Sequence, residues 1–183
     1  MLNEFLAKGW IAPSLSPWVA PVLFVPKKPD PETGKVTWRM CQNYVRHNAK
    51  TLNRIAYRLP RISELLAQVN GAQYFSKLDL LDGFCQIRMK QEDIPKTTFT
   101  TPYGNYEFRV MPMGLCGAPS TFQYLMDSCF HAPTTVGASG TAVPFSHFTA
   151  VYLDDICIFS ATETEHLEHI RAVLLRLRKH KLY

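Results

Sequence analysis

The sequence predicts an α+β fold in which an antiparallel sheet packs on helices. Strand-like runs rich in β-branched and aromatic residues come in pairs about turn signals. Between and after them lie segments whose apolar residues recur at helical spacing, with caps at their ends. No internal repeat is visible. With 183 residues, 46% of them apolar and 19% charged, the chain suits one domain or two closely packed subdomains.

The elements follow in order. Met1 to Trp10 reads as a short amphipathic helix. From Pro13 to Lys50, prolines at 13, 17, 21, 26, 29 and 31 argue against helix. Val22–Val25 and Val36–Cys41 flank the turn signal Glu32-Thr33-Gly34-Lys35 and read as a hairpin with a basic loop, with Lys27, Lys28, Lys35 and Arg39 at or beside its tip. After Leu59-Pro60, the residues Ile62, Leu65, Leu66 and Val69 share one helical face, and Asn70-Gly71 ends that helix. A strand runs from Gln73 to Leu80. Thr97–Thr101 and Tyr106–Val110 flank Pro102-Tyr103-Gly104-Asn105 as a second hairpin. Residues 117–130 form a helix with Phe122, Leu125, Met126 and Phe130 inward. The Gly-, Ser-, Thr-, Pro- and Ala-rich stretch from His131 to Thr149 reads as a long mobile loop. It leads into a strand, Phe148 to Leu153, whose partner is Ile156–Phe159. Thr162-x-x-Glu165 is a capping box that opens a last helix striped by Leu167, Ile170, Val173, Leu174 and Leu177.

Composition excludes several classes. No apolar run approaches the roughly 20 residues of a membrane helix, so no membrane role is expected. Five widely spaced cysteines without a C-x-x-C pair disfavour a disulfide framework or zinc ribbon and point to a reducing compartment. The 20 basic and 15 acidic residues are unevenly placed: residues 1–61 carry ten basic and three acidic side chains, a local +7, and residues 62–183 carry ten and twelve. A basic arm on a mildly acidic body suits a polyanion partner, although a charge excess of this size also serves solubility.

Asp154 and Asp155 stand together between two very apolar strands, where ionised carboxylates repel each other and resist desolvation. Something positive is expected nearby. A plain β-turn is the alternative, but the Gly or Asn usual in a two-residue hairpin is missing. Asp79 ends its own strand with the same anomaly. By strand alternation Tyr152 and Asp154 share one face and Leu153 and Asp155 the other, so one of the pair can meet Asp79 across neighbouring strands. Converging carboxylates form an oxygen-only site suited to Mg²⁺, with Mn²⁺ as substitute. Two such ions about 4 Å apart perform phosphoryl transfer. His166 and His169, three residues apart on a helix, lack a surrounding ligand set and read as ordinary surface histidines.

Tyr152-Leu153-Asp154-Asp155, preceded by Phe75-Ser76-Lys77-Leu78-Asp79-Leu80 and by Met111-Pro112-Met113-Gly114-Leu115-Cys116-Gly117-Ala118-Pro119-Ser120-Thr121-Phe122-Gln123, resembles the reverse transcriptases of gypsy-type LTR retrotransposons and their retroviral relatives. Ser16-Pro17-Trp18, Trp38-Arg39-Met40-Cys41, Tyr57-Arg58-Leu59-Pro60-Arg61, Ile94-Pro95-Lys96-Thr97 and Glu165-His166-Leu167-Glu168-His169 extend the similarity from about Gly9 to Tyr183. The resemblance implies the fingers and palm subdomains of a right-hand polymerase. Residues 1–70 would be mainly fingers, 71–90 palm with the first catalytic aspartate, 91–115 a fingers/palm hairpin, and 116–183 palm with the YLDD hairpin. Thumb and RNase H would be absent, so the chain reads as a fragment of a pol polyprotein.

Carried over position by position, the resemblance makes Asp79 and Asp154 the principal metal ligands, with Asp155 as third carboxylate. Phe84 matches the aromatic gate that leaves no room for a ribose 2′-hydroxyl, with a core phenylalanine as the plainer reading. Arg39 and Lys28 match fingers residues that hold the triphosphate, Lys27 being a near-equal candidate. Backbone amides around Leu81, Asp82 and Gly83 would meet the phosphates, Met113 would floor the nucleotide pocket, and Tyr152 and Leu153 would lie beside primer and template. The chain departs from the family at Asn43, usually acidic, at Val45, usually Arg, and at Met113, usually Gln or aromatic.

The implied activity is RNA- and DNA-directed DNA synthesis from dNTPs on a primed RNA or DNA template. The remaining pol segments (thumb, RNase H, integrase) are the expected neighbours, in a cytoplasmic virus-like particle or the nucleus. Two other readings stay open: a catalytically defective nucleic-acid-binding remnant, and a metal-dependent phosphohydrolase.

Overall fold

The computed structural model describes residues 1–51, 57–136 and 141–183. It divides into two compact units, one of residues 1–54 with 84–118 and the other of residues 55–83 with 119–183.

The first unit opens with helix α1 (Leu2–Ala7), the amphipathic start expected from sequence. Its sheet takes β1 (Ile11–Pro13), β2 (Ala20–Pro26), β3 (Trp38–Gln42), β5 (Phe99–Thr101) and β6 (Gly104–Phe108) in the order β1-β6-β5-β2-β3. Both expected hairpins form, β2 with β3 and β5 with β6. Ala20 and Pro21 join them by pairing parallel to Phe99 and Thr100. Ile11, Ala20, Tyr44, Phe99 and Phe108 are the buried centre, with Phe5, Val22, Met40 and Leu115 packed around it. Full burial of a large side chain such as Ile11, Phe99 or Phe108 contributes about 1.5–3 kcal/mol. Tyr44 precedes helix α2 (Val45–Lys50), which corrects the expectation of no helix from Pro13 to Lys50: the prolines of that stretch end at Pro31 and leave its last turn free to coil. The Tyr44 hydroxyl donates to the Thr97 carbonyl at 2.6 Å, so its polar end is satisfied inside the core. Burial holds that phenol well above the ordinary range.

In the second unit, helix α3 (Ile62–Gln68) precedes strand β4 (Tyr74–Asp79). Helix α4 (Ala118–His131) follows, with its first residue in the first unit. Strands β7 (Thr134–Val136) and β8 (Thr141–Val143), then β9 (Thr149–Tyr152), β10 (Asp155–Ser160) and helix α5 (Glu163–Lys179) complete it. The main sheet runs β4-β10-β9, wholly antiparallel. On its central strand Ile156 and Ile158 share one face and are fully buried, whereas Asp155 and Cys157 on the opposite face are only partly covered. The expected capping box closes α5, Thr162 Oγ1 accepting from the Glu165 N–H and the Glu165 carboxylate from the Thr162 N–H. Val173 and Leu177 are buried, whereas Leu167 and Leu174 of the same stripe stay exposed. On the face expected of α3, Ile62 and Leu66 are exposed while Leu65 and Val69 are half-buried.

Two further expectations are corrected. The stretch 131–149, read as a mobile loop, holds the β7–β8 ribbon and a 3₁₀ turn at Phe145–His147. Small polar residues hid two anchors: Phe145 and Phe148 are buried, and Arg176 of α5 donates to the carbonyls of Cys129, Ala132 and Pro133 while lying over the Phe145 ring. His166 is also not a surface residue. It is buried, with Nε2 on Ser76 Oγ and Nδ1 on Ser160 Oγ, and Ser160 Oγ also meets His169 Nδ1. His169 stacks on Phe148 at 4.1 Å. A packed polar network thus accounts for both histidines. No helix among the described residues is long and apolar enough to cross a membrane.

Candidate active site

Strand β9 stops at Tyr152 and β10 starts at Asp155, so Leu153 and Asp154 form a two-residue hairpin turn. Such a turn needs a positive φ, normally supplied by glycine. Here Leu153 takes it, at φ 54, a left-handed conformation that costs a branched side chain roughly 1–2 kcal/mol. The strain is held in place: Gln123 on α4, fully buried, accepts the Leu153 N–H on Oε1 at 2.8 Å. Leu80 N–H bonds the Asp154 carbonyl at 3.1 Å and ties the turn to the end of β4.

The register then decides which carboxylates meet. Asp155 stands directly opposite Asp79 on β4 and opposite Tyr152 on β9. Directly opposed residues project to one face, so Tyr152 groups with Asp155 and Asp79. The sequence expectation that Tyr152 shares its face with Asp154 is therefore corrected: alternation holds within a strand, and the turn breaks it at Leu153. Two carboxylates opposed in a sheet repel each other, and the expected compensating cation is Lys77, on the same face two residues before Asp79. Its Nζ lies 2.9 Å from Asp155 Oδ1. Its hydrogen bond and attraction to Asp155 raise the Lys77 pKa, and Asp79 and Asp154 push the same way. Both partners are substantially exposed, so the pair contributes little to stability and acts mainly on the local field.

Asp154 is positioned by packing. Gly83 is buried, and a side chain there would meet Phe122 and the Asp154 Cβ. Asp82, with φ 51, turns the chain just before it. Leu81 N–H bonds the carbonyl of Tyr183 at 2.9 Å. The donor set at this end of the sheet is carboxylate oxygen only, which fits Mg²⁺ or Mn²⁺ in kind. Among the described residues, no three His, Cys, Asp or Glu side chains are grouped closely enough to hold an ion.

Lys28, Arg39, Phe84 and Met113 belong to the first unit. Arg39 is exposed on β3 opposite Val25, and Lys28 lies two residues past the end of β2. Lys27 N–H donates to the Thr37 carbonyl at 2.7 Å, continuing the hairpin ladder. Asp30 Oδ1 accepts from the Glu32 and Thr33 N–H groups and the Thr33 hydroxyl, bonds that order the tip and lower the Asp30 pKa. Phe84 is half-buried on a 3₁₀ turn, Gly83–Gln86. Met113 is 43% exposed and precedes Gly114, whose φ is 95. Asn48 grips that loop, donating to the Gly114 carbonyl and accepting from the Cys116 N–H. Lys77, Asn48 and Gln123 carried no role in the sequence reading. Lys77 and Gln123 sit inside the recognised motifs, but their partners lie 30 to 78 positions away.

These observations define a chain of two α+β units, one of which presents an aspartate-bearing hairpin. Residues 25–183 match the model of the family described as reverse transcriptase (RNA-dependent DNA polymerase), and the chain belongs to that family. It is 39% identical over 181 residues to the Retrovirus-related Pol polyprotein from transposon opus of Drosophila melanogaster, covering 99% of this chain and 17% of that protein. It is 38% identical over 179 residues to the Enzymatic polyprotein of Cauliflower mosaic virus (strain CM-1841), covering 98% of this chain and 24% of that one. The chain thus spans a quarter or less of these relatives. The foamy viral protease-reverse transcriptase solved in complex with RNA/DNA hybrid superposes with a TM-score of 0.77 at 23% identity, over 97% of this chain and 21% of that chain, and shares its fold.

Proposed function

We propose that the chain is the fingers and palm of an RNA-directed and DNA-directed DNA polymerase, with the first unit as fingers and the second as palm. The observation that carries this reading is the register that sets Asp155 opposite Asp79, beside Asp154 on a strained, clamped turn. Asp79, Asp154 and Asp155 would hold Mg²⁺ or Mn²⁺. Bound there, divalent ions would make the primer 3′-hydroxyl a better nucleophile toward the dNTP α-phosphate and neutralise charge on the departing pyrophosphate. Lys77 pairs with Asp155 and orients its carboxylate. On the first unit Arg39 and Lys28 would bind triphosphate, and on the second the backbone amides around Asp82 and Gly83 would meet phosphate. Phe84 excludes the 2′-hydroxyl, Met113 lies under the nucleotide, and Tyr152 and Leu153 face the primer and template. The substrates are dNTPs and a primed RNA or DNA template, the latter in keeping with the hybrid held by the foamy viral enzyme. Further pol segments are the expected partners, because the relatives are polyproteins several times longer.

A second reading, a non-catalytic nucleic-acid-binding remnant, draws on the Lys77–Asp155 pair, which engages one of the proposed metal carboxylates. Primer extension separates the two. The chain is assayed alone and in place of the matching segment of the opus polyprotein, with Asp154→Asn and Asp79→Asn in parallel. Polymerisation predicts Mg²⁺-dependent extension that either substitution abolishes while template binding persists, because charge at the metal site is lost and phosphate contacts are not. Template binding without extension in either setting favours the remnant.

A further inference from the structure

We propose that Asp127 and Tyr57 are positioning residues that hold the YLDD turn through Gln123; this rests on the polymerase reading above. Gln123 is fully buried and every polar atom of its amide is used. Oε1 accepts the Leu153 N–H, while Nε2 donates to Asp127 Oδ1 at 2.9 Å and to the Val151 carbonyl at 3.4 Å. A carboxamide can turn over and exchange its oxygen and nitrogen. Here the neighbours forbid it. The carboxylate of Asp127 only accepts and the N–H of Leu153 only donates, so a flipped amide would set two donors against each other at the turn and two acceptors at Asp127.

Asp127 is fixed in turn by a third link. The Tyr57 hydroxyl donates to Asp127 Oδ2 at 2.5 Å, and the Tyr57 carbonyl accepts from the Ser120 hydroxyl about two turns earlier on α4. The Tyr57 ring packs edge-on against Tyr124. The bond to Asp127 leads the causes that push the Tyr57 phenol up to about 12, so it stays a donor across physiological pH. Each link therefore has a fixed polarity: the Tyr57 O–H and the Gln123 amide N–H both donate to Asp127, and the Gln123 oxygen accepts from the Leu153 N–H. Leu153 is the residue whose φ of 54 needs restraint, and Asp154 and Asp155 follow it directly.

The test is a polarity reversal read by hydrogen exchange on the chain itself. Asp127→Leu removes the acceptor that orients the amide, and exchange of the Leu153 N–H should quicken tenfold or more while the buried β10 amides of Ile156 and Ile158 keep their protection. Tyr57→Phe should give a smaller increase in the same direction. Gln123→Glu sets a second carboxylate against Asp127 and should also loosen Leu153. Adding Asp127→Asn should restore it, because the asparagine amide then donates to the new carboxylate and the carboxylate still accepts from Leu153. Unchanged Leu153 exchange in Asp127→Leu, an equal rise at Ile156 and Ile158, or no rescue in the double variant would each overturn the proposal. In primer extension, Asp127→Leu should lower kcat at least tenfold with KM for dNTP within twofold, and the double variant should recover kcat. An equal rise in KM with unchanged kcat would overturn a role in positioning the aspartates. If the exchange pattern holds but the unsubstituted chain extends no primer in either setting, the relay stands and the polymerase reading fails.

Discussion

Replacing Gly83 with alanine puts one methyl group against the candidate active site. An added Cβ would sit 3.1 Å from Phe122 Cζ and 3.2 Å from Asp154 Cβ, both inside ordinary van der Waals contact. Phe122 is fully buried and has nowhere to go, so the less confined Asp154 must give. Gly83 is not among the positive-φ glycines, so alanine adds no backbone strain and the effect is steric alone. Overpacking of this kind costs about 1–3 kcal/mol, and restricting the unfolded chain returns about 0.4–1 kcal/mol. The net destabilisation is about 0–2.6 kcal/mol, which lowers Tm by up to roughly 10 °C in a chain of this size. A displacement of a few tenths of an ångström at Asp154 should also slow nucleotide incorporation beyond the loss of folded protein. Thermal unfolding by circular dichroism gives the first quantity, and primer extension well below Tm gives the second. A Tm within 1 °C of the parent together with an unchanged rate would refute the claim that Gly83 sets the position of Asp154.

Phe84→Val should raise rNTP incorporation relative to dNTP by about one power of ten or more, equivalent to about 1.4 kcal/mol for each tenfold step; an unchanged ratio of kcat/KM values in an active protein would remove Phe84 from sugar selection. Neutralising Lys27, Lys28 and Lys35 together should weaken primer-template binding and flatten its salt dependence, because fewer counterions are released; a salt slope equal to that of the parent would show that the hairpin tip does not meet the backbone. His169, held by burial below its ordinary value near 6.5, is protonated more readily in the unfolded chain. Its stabilising contribution is therefore present above pH 6.5 and lost as pH falls below it. The drop in Tm between pH 7.5 and pH 5 should shrink in His169→Gln, and an equal drop would assign the acid sensitivity to other groups.

The sequence by itself determined most of the elements and the chemical anomaly, but not β1, α2 or the β7–β8 ribbon. Helical stripes, paired strand-like runs and the Thr162–Glu165 box were legible because backbone geometry converts local spacing into faces and ends. Asp79, Asp154 and Asp155 stood out because charge beside apolar strands needs a reason. Tertiary structure alone decided what those residues face. The pairing of Asp155 with Asp79 is a register, set by hydrogen bonds between strands more than 70 positions apart, and the turn at Leu153 breaks the alternation from which a face could be read. Lys77 as the cation at Asp155, Gln123 as the clamp on Leu153, and Phe145 and Phe148 as anchors beneath a polar stretch were equally out of reach. Composition reports how polar a segment is, whereas burial and hydrogen-bond partners are assigned only when distant segments pack together.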